Sequence, residues 1–466
     1  MGGASAVRER RVRMPAIHEE PPGPEGAWGI ANTADFHADP LGFVTRCARE
    51  FGDVVRLGQD NYLVCHPRDI ESVFVNSQRS FAKETGQKPS WAKPGSYHYA
   101  LMHTDGKDWL YKRRLLQPLF KRERVGTSAE PIVAAAEEMM ASWRPGEARA
   151  IEGDVAPLSA QLVGRFLLGS ELSANEVRRV TSFLAWSFRP LPIRIPRWLP
   201  TPRNLRFRWS VRQFDRAIYG LIERLRERSR GSSNLLELVR QARDGEEGCL
   251  APPWYPRDEV AIMLLAAHQP TAIALAWTLY LMALYPEVDE RVAAELKQLL
   301  GDRRATAEDA ERLVYTSAVI KESMRLYPPV WMTARESLQE CELGGYRMAA
   351  GVSLALSPWV PHRDPRWFAD PDAFRPERWL DGSLEGLPKF AYLPFGGGAR
   401  LCMGASLAKL ALVLVLATVA RRYRLTLAPG AKVSAFAAAS FLIPQGVRLV
   451  PRARTPSGPA SGNTLA

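Results

Sequence analysis

Cys402 lies in Phe395-Gly396-Gly397-Gly398-Ala399-Arg400-Leu401-Cys402-Met403-Gly404, a glycine turn that ends on a thiol. The thiol opens an apolar run, Ala405 to Tyr423, that contains no Pro or Gly. Such a run reads as a helix, and the free amides and dipole at its start favour negative charge, which biases a thiol towards thiolate. Three glycines let backbone amides approach the sulfur without side chains in the way. The chemistry implied is an anionic sulfur ligand presented to a metal.

Other elements must hold that sulfur opposite a second wall. The sequence predicts helices over 67–75, 108–119, 129–143, 159–168, 174–188, 205–230, 258–284, 286–300 and 307–326. Short strands are expected around Asn61-Tyr62-Leu63-Val64-Cys65 and a hairpin over Gly344–Leu356. Gly86–Tyr99 and the proline-rich Pro190–Pro202 read as loops, because Pro breaks helical hydrogen bonding. Ile262–Leu284 is long enough to span a bilayer. Its centre carries His268, Gln269 and Pro270, so a buried core helix is the better reading. The fold class is therefore mainly α with minor sheet.

The decapeptide matches F-x-x-G-x-R-x-C-x-G and resembles the haem-thiolate loop of the cytochrome P450 family. The resemblance implies a helix-rich cytochrome P450 fold with a small β-sheet subdomain, one haem b, and Cys402 as axial iron ligand. It further implies that Phe395 shields the sulfur, Arg400 pairs with a haem propionate, and Gly404 lets the helix approach the porphyrin. Trp109-Leu110-Tyr111-Lys112-Arg113 resembles the family's W-x-x-x-R helix, which places Trp109 and Arg113 within reach of one propionate. Arg335 resembles the arginine of a propionate-binding strand, a role suited to bidentate guanidinium bonding. Glu322-Ser323-Met324-Arg325 resembles the E-x-x-R motif, and Phe374–Trp379 a later arginine motif. By that resemblance Glu322, Arg325 and Arg378 form a buried triad that supports the core, since buried charges need partners.

The long helix departs from the family. Where small-Gly-x-acid-Thr-Thr is usual, this chain reads Ala266-Ala267-His268-Gln269-Pro270-Thr271. Gln269 stands for the acid and Pro270 for the catalytic threonine. Gln269 does not readily carry a proton, and Pro270 has no amide for the Ala266 carbonyl, so a kink and a lost proton relay are expected. Ala266, Gln269, Pro270 and Thr271 are the candidate catalytic positions. Three reactions stay open. One is ordinary O2- and electron-dependent monooxygenation, with protons supplied by a water chain, His268, Thr271 or a substrate hydroxyl. Another is peroxide use, as in fatty-acid peroxygenases, which share the Pro but carry an Arg before it. The third is coupling, cyclisation or desaturation without net oxygen insertion. A haem-thiolate sensor is the non-enzyme alternative.

Bulk properties bound the rest. The 466 residues are 46% hydrophobic and 24% charged, as in a globular protein with a large core. Cys47, Cys65, Cys249, Cys341 and Cys402 are dispersed and odd in number, which argues against a disulfide framework or a zinc site. The sequence suggests an N-terminal extension over 1–35, a catalytic domain over 36–452 and a disordered tail over 453–466. No signal peptide or anchor is visible, so a cytoplasmic monomer of the soluble bacterial type is expected. A net charge of +12 can mean nucleic acid, a membrane surface or an acidic protein partner; no nucleic-acid module is recognised, and the family resemblance implies an acidic electron donor. The expected donor is a ferredoxin-type partner with its NAD(P)H-dependent reductase. Its seat would be the cluster Lys112, Arg113, Arg114, Lys121, Arg122 and Arg124. The expected substrate is an apolar small molecule, terpenoid or polyketide-like, walled by 91–99, 190–202, 266–271, 330–332 and 436–441.

Overall fold

A computed structural model describes residues 20–25, 30–77, 79–83, 97, 99–187, 199–227, 231, 234–244, 253–438 and 440–454. Six of its helices position the site: α1 (Gly106–Leu116), α2 (Glu152–Leu168), α3 (Pro202–Arg226), α4 (Tyr255–Leu284), α5 (Val314–Leu326) and α6 (Ala405–Arg422). Helix α4 is the only one, among the described residues, long and apolar enough to cross a membrane. It is instead the axis of the core: α2 packs along it, and Val260, Ala261, Leu264, Ala272, Leu275 and Leu279 are buried. Helix α5 stops at Leu326, two residues before Pro328, as the clash of proline with a preceding helical residue demands. Helix α6 starts immediately after Gly404 and is buried from Leu410 to Ala420.

A five-stranded sheet flanks the helices. Its strands are β1 (Val54–Gly58), β2 (Asn61–Val64), β3 (Phe81–Lys83), β4 (Thr333–Ser337) and β5 (Ser353–Leu356), in the order β1-β2-β5-β4-β3. The β2–β5 pairing is parallel; β4 runs antiparallel to both β5 and β3. The β3–β4 register sets Lys83 directly opposite Arg335.

Several boundaries differ from the sequence reading. The hairpin is 341–348, turning on Gly344 and Gly345 at φ 58° and 82°, while 353–356 joins the large sheet beside β2. The stretch 307–326 is two helices, separated at Leu313. Helix α4 runs through Pro270 as one continuous helix. Of the expected extension over 1–35, residues 1–19 and 26–29 lie outside the described residues, as do 455–466 of the expected tail over 453–466, and 84–96 and 188–198.

Candidate functional site

The cysteine loop is shaped by two glycines in left-handed backbone, Gly396 (φ 69°) and Gly398 (φ 61°). A Cβ on Gly398 would lie 1.9 Å from the Phe74 carbonyl oxygen, and one on Gly397 would lie 2.2 Å from the Phe390 ring. The glycines are therefore steric necessities of a loop pressed against Phe74 and Phe390, which stack at 5.8 Å. They are not the donors to the sulfur: the amide aimed at Sγ is that of Gly404. The Cys402 amide donates to the Phe395 carbonyl at 3.1 Å and closes the loop.

Behind the loop sits a buried polar frame. Arg325 donates Nε to Glu322 Oε2 at 2.9 Å and Nη2 to Oε1 at 2.8 Å, and Arg378 Nε reaches Oε1 at 2.9 Å. Arg325 also caps the carbonyls of His362 and Pro371 at 2.7 and 2.6 Å. His362 links this frame to the loop. Its Nε2 accepts from the Leu393 amide at 3.0 Å, so Nδ1 holds the proton and donates to the Arg325 carbonyl at 3.2 Å. Burial pushes the His362 imidazole down to about 3, so it stays neutral.

Cys402 lines a cavity of about 730 Å³ and keeps accessible surface there. Burial raises its thiol, while the Gly404 amide and Arg113 pull the other way. The expected bias towards thiolate is thus not intrinsic to the loop, because desolvation outweighs the amide; ligation of a metal deprotonates such a thiol outright.

The cavity is lined by Lys83, Arg113, Arg124, Arg165, Arg335 and Arg400, with no carboxylate among its lining residues. Lys83 and Arg335 face each other in register, where like charges destabilise a sheet. Burial, then Arg400 and Arg335, pushes Lys83 down to about 8; burial, then Arg400, brings Arg335 to about 10. Arg335 stacks on Phe74 at 5.0 Å, and its Nε is buried without a hydrogen-bond partner. Arg400 lies over the Trp109 ring at 4.8 Å, donates to the Thr104 carbonyl at 2.7 Å and pairs with Asp105. Arg113 donates to the Leu401 carbonyl at 2.8 Å. A buried guanidinium with an orphaned Nε, beside the half-buried cations Lys83 and Arg400, fits a dianionic ligand such as a haem with two propionates. Cys402 would hold its iron, and Trp109, Arg113, Arg335, Arg400 and Lys83 its acidic edge. A Cβ on Gly404 would meet Phe120 at 3.7 Å and Cys402 Sγ at 3.9 Å, ordinary contacts. Phe395 also lines the cavity, under the Lys409 ammonium at 5.5 Å.

Opposite the cysteine, α4 offers one stripe: Ile262, Met263, Ala266, Ala267, Pro270, Thr271 and Ala274. Gln269 is not among the lining residues, and His268 is 1% exposed on another face of the helix. Burial lowers His268 to about 4, and neither ring nitrogen has a hydrogen-bond partner. The rotation of the helix therefore takes both expected polar side chains away from the cavity. Leu101 and Met102 complete the rim, pinned by buried carboxylates at the start of α4: Asp258 accepts the Tyr99 amide at 3.1 Å and Glu259 the Leu101 amide at 2.9 Å. Of the other expected walls, Val330 lines the cavity; Trp331 is buried instead beside Phe43 and Leu63, and 436–441 does not border it among the described residues.

The basic cluster near α1 also divides. Lys112 is buried, lies over the Tyr255 ring at 5.0 Å and donates to the Tyr99 carbonyl. Arg113 and Arg124 turn to the cavity, so Arg114, Lys121 and Arg122 form the exposed remainder.

Residues 21–448 match the family model described as Cytochrome P450. The chain is 32% identical to cyclooctat-9-en-7-ol 5-monooxygenase of Streptomyces melanosporofaciens, across 91% of this chain and 95% of that protein. It is 29% identical to pentalenene oxygenase of Streptomyces avermitilis, across 90% and 94%. Among solved structures it superposes on the heme domain of a cytochrome P450DA mutant with a TM-score of 0.78 at 22% identity, covering 94% of this chain and 98% of that one.

Proposed function

This chain belongs to the cytochrome P450 family, is a haem-binding monooxygenase by that membership, and from that premise we propose that it hydroxylates a terpenoid. The observation that carries the reading is the apolar α4 stripe lining the same cavity as Cys402, in which Lys83, Arg335 and Arg400 lie close enough to act on one another. Cys402 would hold the haem iron, which when bound would supply the activation of dioxygen. The chain's own residues do the rest. Lys83, Arg335 and Arg400 fix the acidic edge of the cofactor, and Ile262, Met263, Ala266, Ala267 and Ala274 exclude water and hold an apolar skeleton against the reacting centre. Relatives named for cyclooctat-9-en-7-ol and pentalenene oxidation support a terpenoid over other apolar classes. Electrons come, on this reading, from a cytoplasmic ferredoxin-type donor seated on Arg114, Lys121 and Arg122.

The test is reconstitution of the haem-loaded chain with a ferredoxin, its reductase and NAD(P)H, against panels of terpenes, fatty acids and aromatic polyketides. A terpene product heavier by one oxygen from ¹⁸O2 is expected. Turnover confined to fatty acids or polyketides sinks the assignment. Pro270 favours a second reading, because a proline at that position donates no hydrogen bond. A product lighter by two hydrogens, with no label taken up, would assign desaturation or ring closure instead.

A further inference from the structure

Arg165 of α2 reaches the lining but donates to Glu171 at 2.7 Å and to the Pro131 carbonyl at 3.4 Å; the α4 stripe, with Ser159 of α2 beside it, accepts hydrogen bonds and donates none from its side chains. Two hydroxyls lie there. Thr271 Oγ1 donates to the Ala267 carbonyl at 2.8 Å, and Ser159 Oγ donates to the His268 carbonyl at 2.8 Å. A carbonyl only accepts, so both protons are committed to the backbone, and each oxygen keeps only lone pairs for a ligand. A third acceptor is the carbonyl of Ala266, a lining residue: the helical register would bond it to the amide of residue 270, and Pro270 has none. His268 and Gln269, whose side chains could donate, are not among the lining residues. Around these acceptors the wall is apolar, from Ile262 and Met263 to Ala274. A ligand skeleton packed on it leaves solvent little room, and a buried acceptor without a donor is costly.

We propose that the substrate carries a hydroxyl group that donates to the Ala266 carbonyl and Thr271 Oγ1, so that the chain selects a terpene alcohol over the parent hydrocarbon. The inference rests on the terpenoid reading and narrows it. It also assigns Pro270 a purpose, since a proline there leaves the Ala266 carbonyl available as the recognition group. The reaction class that must supply this substrate is one that leaves a hydroxyl on a terpene skeleton, such as water capture at the end of a cyclisation or an earlier hydroxylation.

The test uses the haem-loaded chain and matched ligands: cedrane, cedrol and cedryl methyl ether for fifteen-carbon skeletons, and phytane, phytol and phytyl methyl ether for twenty-carbon ones. Dissociation constants are read by titration calorimetry and, independently, by the haem difference spectrum. The alcohol should bind about ten- to one-hundred-fold more tightly than both its ether, which accepts but cannot donate, and its hydrocarbon. Pro270→Ala restores an amide to the Ala266 carbonyl, and Thr271→Val removes the hydroxyl at nearly constant shape. Each should shrink the preference at least several-fold, and Pro270→Ala favours the helix, so loss of fold does not confuse the result. Alcohol, ether and hydrocarbon binding within about three-fold of one another overturns the inference and leaves the terpenoid reading standing. A preference unchanged in both variants also overturns it. Failure of every terpenoid to bind removes both.

Discussion

Glu322, behind the cysteine loop, accepts hydrogen bonds from Arg325 Nε and Nη2, Arg378 Nε, Trp379 Nε1 and the Arg375 amide, all between 2.8 and 3.1 Å. Across the cavity, the stripe of α4 is held by packing against α2; its one hydroxyl, that of Thr271, bonds its own backbone, and Ser159 of α2 bonds the His268 carbonyl. The first region tolerates few residue types, because every atom of a buried charge must be matched. The second asks only for small or apolar side chains of suitable volume, and so has room to exchange a threonine for a proline. What holds the cofactor is over-determined, and what meets the substrate is free to specialise.

The comparison breaks most visibly at Glu322. Glu322→Ala leaves two buried guanidiniums without a counter-charge and should cost about 3–5 kcal/mol in urea unfolding. Ala267→Ser on the stripe should cost about 1 kcal/mol or less. A Glu322→Ala protein as stable as the parent would show that the polar frame is dispensable.

Two buried titratable groups on α4 sharpen the contrast by acting in opposite directions. Burial raises Glu259 to about 7 from 4.5, so the folded state holds a proton that the unfolded state releases, and stability falls as pH climbs from 4.5 to 7. Burial lowers His268 to about 4 from 6.5, so the unfolded state binds the extra proton, and stability falls as pH drops from 6.5 to 4. In the parent chain the two slopes offset each other. Glu259→Gln should unmask the His268 slope, with stability rising by roughly 1–3 kcal/mol between pH 4.5 and 6.5. His268→Leu should unmask the Glu259 slope and raise stability at neutral pH by about 1 kcal/mol, since an imidazole with no partner is replaced by an apolar side chain. Urea midpoints across pH measure both; identical profiles in parent and variants would contradict the assignment of these slopes.

The cysteine loop, the Glu322–Arg325 pair and the Trp109–Arg113 helix were legible in sequence because each packs its polar requirements into a few neighbouring positions. Lys83 was not: it acquires meaning only when β3 pairs with β4 and puts it opposite Arg335, some 250 residues away along the chain. Phe74 and Ser159 were hidden for the same reason, since their partners Gly398 and His268 come from remote segments. The loop glycines were read as making room for amides around the sulfur, whereas they make room for Phe74 and Phe390. Spacing located Pro270 and Thr271 on α4, but it could not tell that Gln269 and His268 would turn off the cavity.

The bond from Arg113 to the Leu401 carbonyl carries a last consequence. One guanidinium and one peptide join α1 to the residue that bears the sulfur. Arg114, on the same helix, belongs to the surface assigned above to the electron donor. A partner seated there would therefore press on a helix tethered to the peptide that leads into the sulfur ligand.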